Sequence, residues 1–300
     1  MKHYLISFLV LYAAQFAFGQ HVTYTYDAAH RLTKVDYGRR SITYVYDKSG
    51  NLLSRTVTAA AGGPVFTAAG VVNAASFKGG AVAPGEMVTI FGTGIGPVTL
   101  AGFQIANNLV SGSVAGTRFL FDGNPAPIIY VLATQSTVMV PYAVAGKTTT
   151  QLVAEYQGVQ SAPVTLNVAD AAPGLYTITQ NGTGPAAIVN QDGSINSGSS
   201  PAPRGSVVLL FLTGDGQTNP PGVDGKLAVD TLPRTAAPVT VTIGGVQAEV
   251  AYSGVAPQSI AGFSQFNVIV PATAPSGSAV PLVVKVGTAS SAAGVTIAIQ

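Results

Sequence analysis

The chain has 300 residues, enough for about two domains at 100–200 residues each, and a formal net charge of +2. Charged residues make up only 9% of it, hydrophobic residues 47%, and 35 Gly with 19 Pro punctuate it. That balance excludes a disordered charged tail, a coiled coil and an electrostatically driven nucleic-acid binder. Cysteine is absent, and the three histidines, His3, His21 and His30, sit near the N-terminus. Residues 31–300 therefore offer no thiolate nucleophile, no disulfide, no Ser-His-Asp triad and no His-ligated or Cys-ligated metal.

In chain order, the first segment is MKHYLISFLVLYAAQFAFGQ, residues 1–20. Lys2 supplies a positive start, an apolar run extends from Tyr4 to Ala14, and Ala17-Phe18-Gly19 is a small-x-small cleavage site. The expectation is a secretory signal peptide over 1–19, since Gln15 interrupts well short of the ~20 apolar residues a membrane span needs. No later run approaches that length, so the mature protein is expected outside the cytoplasm, secreted or at the cell surface, with no membrane span after cleavage.

Residues 20–58 hold a repeat of period 20. VTYTYDAAHRL (Val22 to Leu32) is followed by ITYVYDKSGNL (Ile42 to Leu52), so that Tyr24, Tyr26, Asp27 and Leu32 recur as Tyr44, Tyr46, Asp47 and Leu52. Alternating apolar and polar positions that end in a turn predict a β-hairpin arm in each unit. The pattern resembles the YD repeats of the RHS family, whose long arrays wrap into β-shells around toxin cargo, with His30 standing where the family has Gly. Two units are too few to close a shell, because repeat architectures need three or more copies to bury a continuous face. Arg31, Lys34, Arg39, Arg40, Lys48 and Arg55 outnumber Asp27, Asp36 and Asp47 here, which reads as a solvated basic face on a short sheet or, alternatively, as an electrostatic contact for an anionic surface.

Residues 59–63, followed by Pro64, form a small-residue linker. Beyond it the chain repeats at much longer range. PGEMVTIFGTGIG (Pro84 to Gly96) answers PRGSVVLLFLTGDG (Pro203 to Gly216), placing Gly85, Val88, Phe91, Thr93, Gly94 and Gly96 on Gly205, Val208, Phe211, Thr213, Gly214 and Gly216. Tyr130 answers Tyr252, Gln135 answers Gln265, and VTLNV (Val164 to Val168) answers VTIAI (Val295 to Ile299). Short β-branched runs separated by Gly, Pro, Asn and Ser clusters predict an all-β protein of two tandem Ig-like β-sandwich domains, 64–169 and 170–300. Gly92-Thr93-Gly94-Ile95-Gly96 lacks the Lys-Ser/Thr ending of a phosphate loop and reads as a strand-ending turn.

Val71 to Pro97, Ala172 to Thr177, Asn190 to Asn196, Ile243 to Pro257 and Gln265 to Pro271 together resemble the Solibacter-type uncharacterised C-terminal domain of large secreted bacterial proteins. APGEMVTIFGTGIGP also resembles IPT/TIG immunoglobulin-like domains. The resemblance implies fold and an extracellular address, and no activity. Two departures stand out: Asp215 occupies the second Gly turn where an aliphatic residue is usual, and Ser136-Thr137 replace the Ile-Asn expected after Gln135.

Candidate chemistry is sparse. Asp192 with Asn190 and Asn196 forms a possible calcium loop, although Asp192-Gly193 is first a hairpin turn dipeptide. Asp215 and Asp224 bracket Asn219-Pro220-Pro221-Gly222 as a second candidate pair, although turn aspartates commonly bond their own backbone. Tyr130 and Tyr252 offer rings to a sugar or fill the core with the hydroxyl at its rim. No catalytic residue, cofactor or metal ligand is assigned. The expected function is a non-catalytic structural or adhesion module that displays or anchors, with an extracellular macromolecule or glycan as partner. The alternatives are a carbohydrate-binding module, weakened by the absence of Trp, and a carboxylate-dependent hydrolase.

Overall fold

The computed structural model describes residues 22–36, 40–59 and 63–300. The signal peptide expected over 1–19, with Lys2, His3 and His21, lies outside the described residues, as do Arg39 and most of the linker.

Four antiparallel strands, β1 (Thr23–Tyr26), β2 (Leu32–Asp36), β3 (Arg40–Tyr46) and β4 (Leu52–Ala59), form a sheet in sequence order. Each YD unit is one hairpin, and its aspartate holds the turn. Asp27 Oδ1 accepts the amides of Ala29 and Arg31, both at 2.9 Å; Asp47 Oδ1 accepts those of Ser49 and Asn51, both at 2.8 Å. The Arg31 amide and guanidinium keep the Asp27 carboxyl below the usual carboxylate range, and the Asn51 side chain and amide do the same for Asp47. Gly50 sits at φ +90° and His30 at φ +60°, so the first unit places an imidazole-bearing residue in the left-handed region where the second has glycine.

From Val65 onward the strands form two sandwiches. The first pairs a sheet containing β5 (Val65–Asn73), β6 (Met87–Thr93), β8 (Ile128–Val131) and β9 (Gln135–Met139) with one built on β7 (Thr117–Phe121), β10 (Thr149–Tyr156) and β11 (Val164–Asn167). Its core gathers Ile90, Phe119, Phe121, Ile128 and Leu152, all fully buried. A single 3-10 turn, Tyr142–Val144, follows Pro141.

The second sandwich uses β12 (Val207–Thr213), β13 (Val239–Ile243), β14 (Val246–Val255), β15 (Ser264–Ile269), β16 (Gly277–Val286) and β17 (Val295–Ile299) around Leu210, Val241, Phe266, Leu282 and Ile297. Here the sheet is continuous, because β14 runs ten residues, pairs β13 through Ala248 and pairs β15 from Glu249 onward across a bulge at Val250–Tyr252. The first copy breaks at the same place: Asn124–Pro125 and β8 are separate, and Pro127 stands where the second copy has Glu249. Proline has no amide to donate, so the ladder cannot run through. The all-β architecture agrees with the sequence expectation.

Asp47→Ala removes the acceptor for two turn amides and for the Asn51 side chain. Hydrogen exchange should show loss of protection at Ser49, Asn51 and the β3–β4 amides, with protection of the sandwich core strands unchanged; equal loss in both regions would contradict a locally held hairpin.

Candidate functional site

The densest cluster of buried polar groups lies where the two sandwiches meet. One end of the first copy, comprising Asn73, Gly85, Glu86 and Met87, receives the end of the second that carries Thr213, Gly214 and Gly262. Thr213 is fully buried; its Oγ1 accepts the Met87 amide at 2.8 Å and donates to the Gly262 carbonyl at 2.7 Å. In the second copy the amide equivalent to Met87, that of Val207, is met by the copy's own Gln191 Oε1 at 2.9 Å. The first copy thus leaves to its neighbour an amide that the second satisfies itself.

Asn73 ties the same joint. Its Nδ2 donates to Glu86 Oε1 at 2.8 Å and to the Ala172 carbonyl at 3.0 Å, while its Oδ1 accepts the amides of Ala75 and Ser76. Glu86 Oε2 accepts the Ala83 amide at 2.7 Å. Burial outweighs these two donors and raises the Glu86 carboxyl to about 8. Tyr176 donates to Met87 Sδ at 3.5 Å and sets its ring at a tilt 5.3 Å from that of Phe263; its hydroxyl is pushed up by burial and then by Glu86.

Tyr142 forms a second clamp. Its amide donates to Asp224 Oδ1 at 2.8 Å, and its ring lies against Gly222 and Gly85, where an added Cβ would meet ring atoms. Gly262 closes the contact from the other side: at φ +90° its Cβ position falls on the Gly85 carbonyl, so no side chain fits. Met139, Tyr142 and Ala261 form a small apolar cluster across the joint, and Val110 donates to Gly225 while Leu227 donates to Asn108. Beside it an open apolar cleft of about 610 Å³ is lined by Met87, Phe103, Ile129, Leu227, Ile260 and Phe263 among others.

The residues singled out from sequence are engaged elsewhere. Asp192 Oδ1 accepts the Ser194 amide and hydroxyl, and burial plays little part: those hydrogen bonds lower its carboxyl. Asn190 donates to Ser194 Oγ and the Ser200 carbonyl, and Asn196 donates to Asn190 and to the Ala298 carbonyl. Asp215, buried in the position where the first copy has the fully buried Ile95, accepts Ser264 Oγ and Thr235 Oγ1, both at 2.6 Å. Burial raises its carboxyl in spite of both donors. Burial also raises Asp224, against the Tyr142 amide.

Asp215 and Asp224 are brought to one tyrosine, since both bear on the Tyr142 hydroxyl. Among the described residues no group of three or more His, Asp or Glu is placed to hold a metal ion. Tyr130 accepts from Gln135 Nε2, and Tyr252 donates to the Val255 carbonyl at 2.7 Å with the Arg234 guanidinium over one face of its ring, 4.7 Å from the centroid. Ser136 and Thr137 are both buried, and Thr137 meets Thr89 hydroxyl to hydroxyl at 2.9 Å, so the departure after Gln135 is a core substitution.

Sequence reading missed the joint itself. Thr213 and its counterpart Thr93 are the same residue type, yet Thr93 is exposed. The available signal was asymmetry between copies: Glu86 stands where the second copy has Ser206, and Ala74 where it has Gln191.

The fold and its joint define a tandem β-sandwich protein with a short hairpin array in front. The RHS Repeat family model matches residues 15–42, which covers the first YD unit and the start of the second. No curated protein matches the chain. Among solved structures it is similar to SGBP-B from a complex xyloglucan utilization locus in Bacteroides uniformis, at 14% identity and a TM-score of 0.25, over 79% of this chain and 50% of that one. The chain thus spans about half the length of that structure, and a likeness at this level carries no functional argument. Among the described residues no helix is long and apolar enough to cross a membrane.

Glu86 makes stability pH-dependent with a definite sign. Its folded carboxyl is raised from 4.5 to about 8, so folding favours the protonated form; the contribution is complete below about pH 4.5 and is lost as pH rises through about 8. Asp215 acts in the same sense. Thermal melting should fall between pH 5 and 9, Glu86→Gln should flatten that slope whatever its absolute melting temperature, and adding Asp215→Asn should flatten it further. An unchanged slope in the double variant would contradict the assignment.

Proposed function

We propose that the chain is an exported, non-catalytic module that displays or anchors at the cell surface. In this reading residues 64–169 and 170–300 are Ig-like domains of the IPT/TIG and Solibacter C-terminal kind, joined as one stiff spacer behind the YD pair at 20–58. The observation that carries it is the joint: Thr213 commits a buried hydrogen bond, and Asn73 and Asp224 part-buried ones, to holding one sandwich on the other. A buried amide left without a partner costs roughly 1–3 kcal/mol, so separating the copies is opposed at several points together. The carboxylates available for hydrolytic chemistry support the same conclusion. Asp192 and Asp215 each accept two local donors, and Asp224 holds a backbone amide of the other copy. The YD match and the signal-like residues 1–19 support export.

Because the native chain has no cysteine, Ala162→Cys and Ala279→Cys admit a pair of spin labels on exposed positions of the two sandwiches. Pulsed dipolar measurement should give one narrow distance distribution, and Gly222→Val, which drives a side chain into Tyr142, should broaden it while both cores stay folded. A broad distribution in the unaltered joint would overturn the stiff spacer. In fractionated cells the protein should be recovered with the surface; a freely secreted, partnerless monomer would overturn display.

One observation favours the carbohydrate-binding alternative, namely a cleft at the far end of the second sandwich where Asn190, Gln191, Asp192 and Ser206 stand beside Pro201 and Pro203. On a glycan array this reading expects a signal that Asp192→Ala abolishes, and a blank array removes it.

A further inference from the structure

The four-stranded sheet shows how one YD unit grips the next. Arg31 follows the first turn and leads into β2, which pairs antiparallel with β3. Its Nε bonds Asp27 Oδ2 at 2.7 Å within its own unit, while its Nη1 reaches across the seam to the Asp47 carbonyl at 3.1 Å and its Cζ lies 4.9 Å from the centroid of the Tyr46 ring. Tyr46 returns the contact by donating its hydroxyl to the Leu32 carbonyl at 3.0 Å. The Asp47 carbonyl thereby accepts twice, from Arg31 and from the Gly50 amide.

Twenty residues earlier the receiving half of this seam exists without a donor among the described residues. Tyr26 and Asp27 are the counterparts of Tyr46 and Asp47. The Asp27 carbonyl accepts only the His30 amide among the described residues, and Tyr26 is 56% and Tyr24 57% exposed. β1 is an edge strand with all four residues exposed. The opposite edge, β4, does not complement it. There Asn51 occupies the place of Arg31, and its Nδ2 bonds Asp47 Oδ2 at 2.8 Å within the same turn. An asparagine side chain is too short to reach a ring across the seam, so a second copy of this chain lacks the required guanidinium.

We propose that the β1 edge, with the Tyr26 ring and the Asp27 carbonyl, is a docking site for an antiparallel strand of a different chain, introduced by an Asp-x-x-x-Arg turn like Asp27 to Arg31. Main-chain pairing along an open edge supplies part of the affinity, and the arginine supplies the specificity through its stacking and charge-assisted hydrogen bond. The inference names a partner for the display module. It rests on the β2–β3 seam alone, so it stands or falls separately from the stiffness of the sandwich joint.

The missing donor can be built into the chain itself. Asn51→Arg places a guanidinium at the β4 edge, in a turn where the first unit already tolerates one. A β4-to-β1 contact is heterologous and does not close, so sedimentation velocity should show concentration-dependent head-to-tail oligomers for Asn51→Arg, and the added Tyr26→Ala should abolish them. A labelled peptide of sequence Val22 to Asp36 should also bind the unaltered full chain. That binding should weaken about tenfold with Ala in place of the peptide's Arg31, and again with Tyr26→Ala in the protein. Tyr26 is exposed, so its loss leaves the fold intact. Two results overturn the proposal: Asn51→Arg sedimenting like the unaltered chain together with peptide binding indifferent to arginine, or the unaltered chain itself oligomerising through Tyr26, which would make the partner a second copy.

Discussion

The hydroxyl of Thr213 holds the position on which the arrangement of the sandwiches turns. A hydroxyl donates and accepts through one oxygen, and this one does both inside a buried contact, accepting from the first amide of β6 and donating a hydrogen bond to the Gly262 carbonyl. Without it the Met87 amide would be buried with no acceptor, a condition folded proteins avoid almost everywhere. Because that amide belongs to the first copy and the hydroxyl to the second, the first sandwich is not complete alone at this edge. Asn73 repeats the theme with one side chain that closes its own turn and still reaches the Ala172 carbonyl.

Close approach follows from that contact and explains several residues that have no chemistry of their own. Gly85, Gly222 and Gly262 leave room for the Tyr142 ring and for the Gly85 carbonyl, where any Cβ would intrude. Glu86 is sealed behind the contact and is left with two N–H donors and no cation, which is why burial governs its protonation. Asp215 is the counterpart in the second copy of an apolar turn residue in the first. It is accommodated because Ser264 and Thr235 point hydroxyls at both of its oxygens.

The hairpin array obeys a different logic. Among the described residues nothing buries Tyr24, Tyr26, Leu53 or Val57, so the strand ladders are reinforced by turn aspartates and by one arginine that spans the seam. The period of 20 was readable because the turn aspartates use the same position in both units. What was not readable is that Arg31 and Asn51, at equivalent positions, do unequal things. Arg31 reaches across the seam and Asn51 stays within its turn, and side-chain length alone separates them.

By itself the sequence determined the all-β class, the two repeat systems and the turns at Asp27, Asp47 and Asp192, because strand alternation and turn chemistry are local and are written in consecutive residues. It also determined which chemistries are missing, since composition needs no coordinates. Only the tertiary structure decided that Thr213 is buried while Thr93 is exposed, that Asn73 and Asn190 are counterparts, and that burial raises the carboxyl of Glu86 while hydrogen bonds from Ser194 lower that of Asp192. The counterpart relation was hidden by a change of offset: Ile188 and Val189 pair with β12 as Val71 and Val72 pair with β6, but the chain between Leu175 and Ile188 is longer than its equivalent in the first copy. Burial and partnership are set by what packs against a residue from far along the chain, and identical residues in a repeat meet different neighbours at the joint and at its free ends.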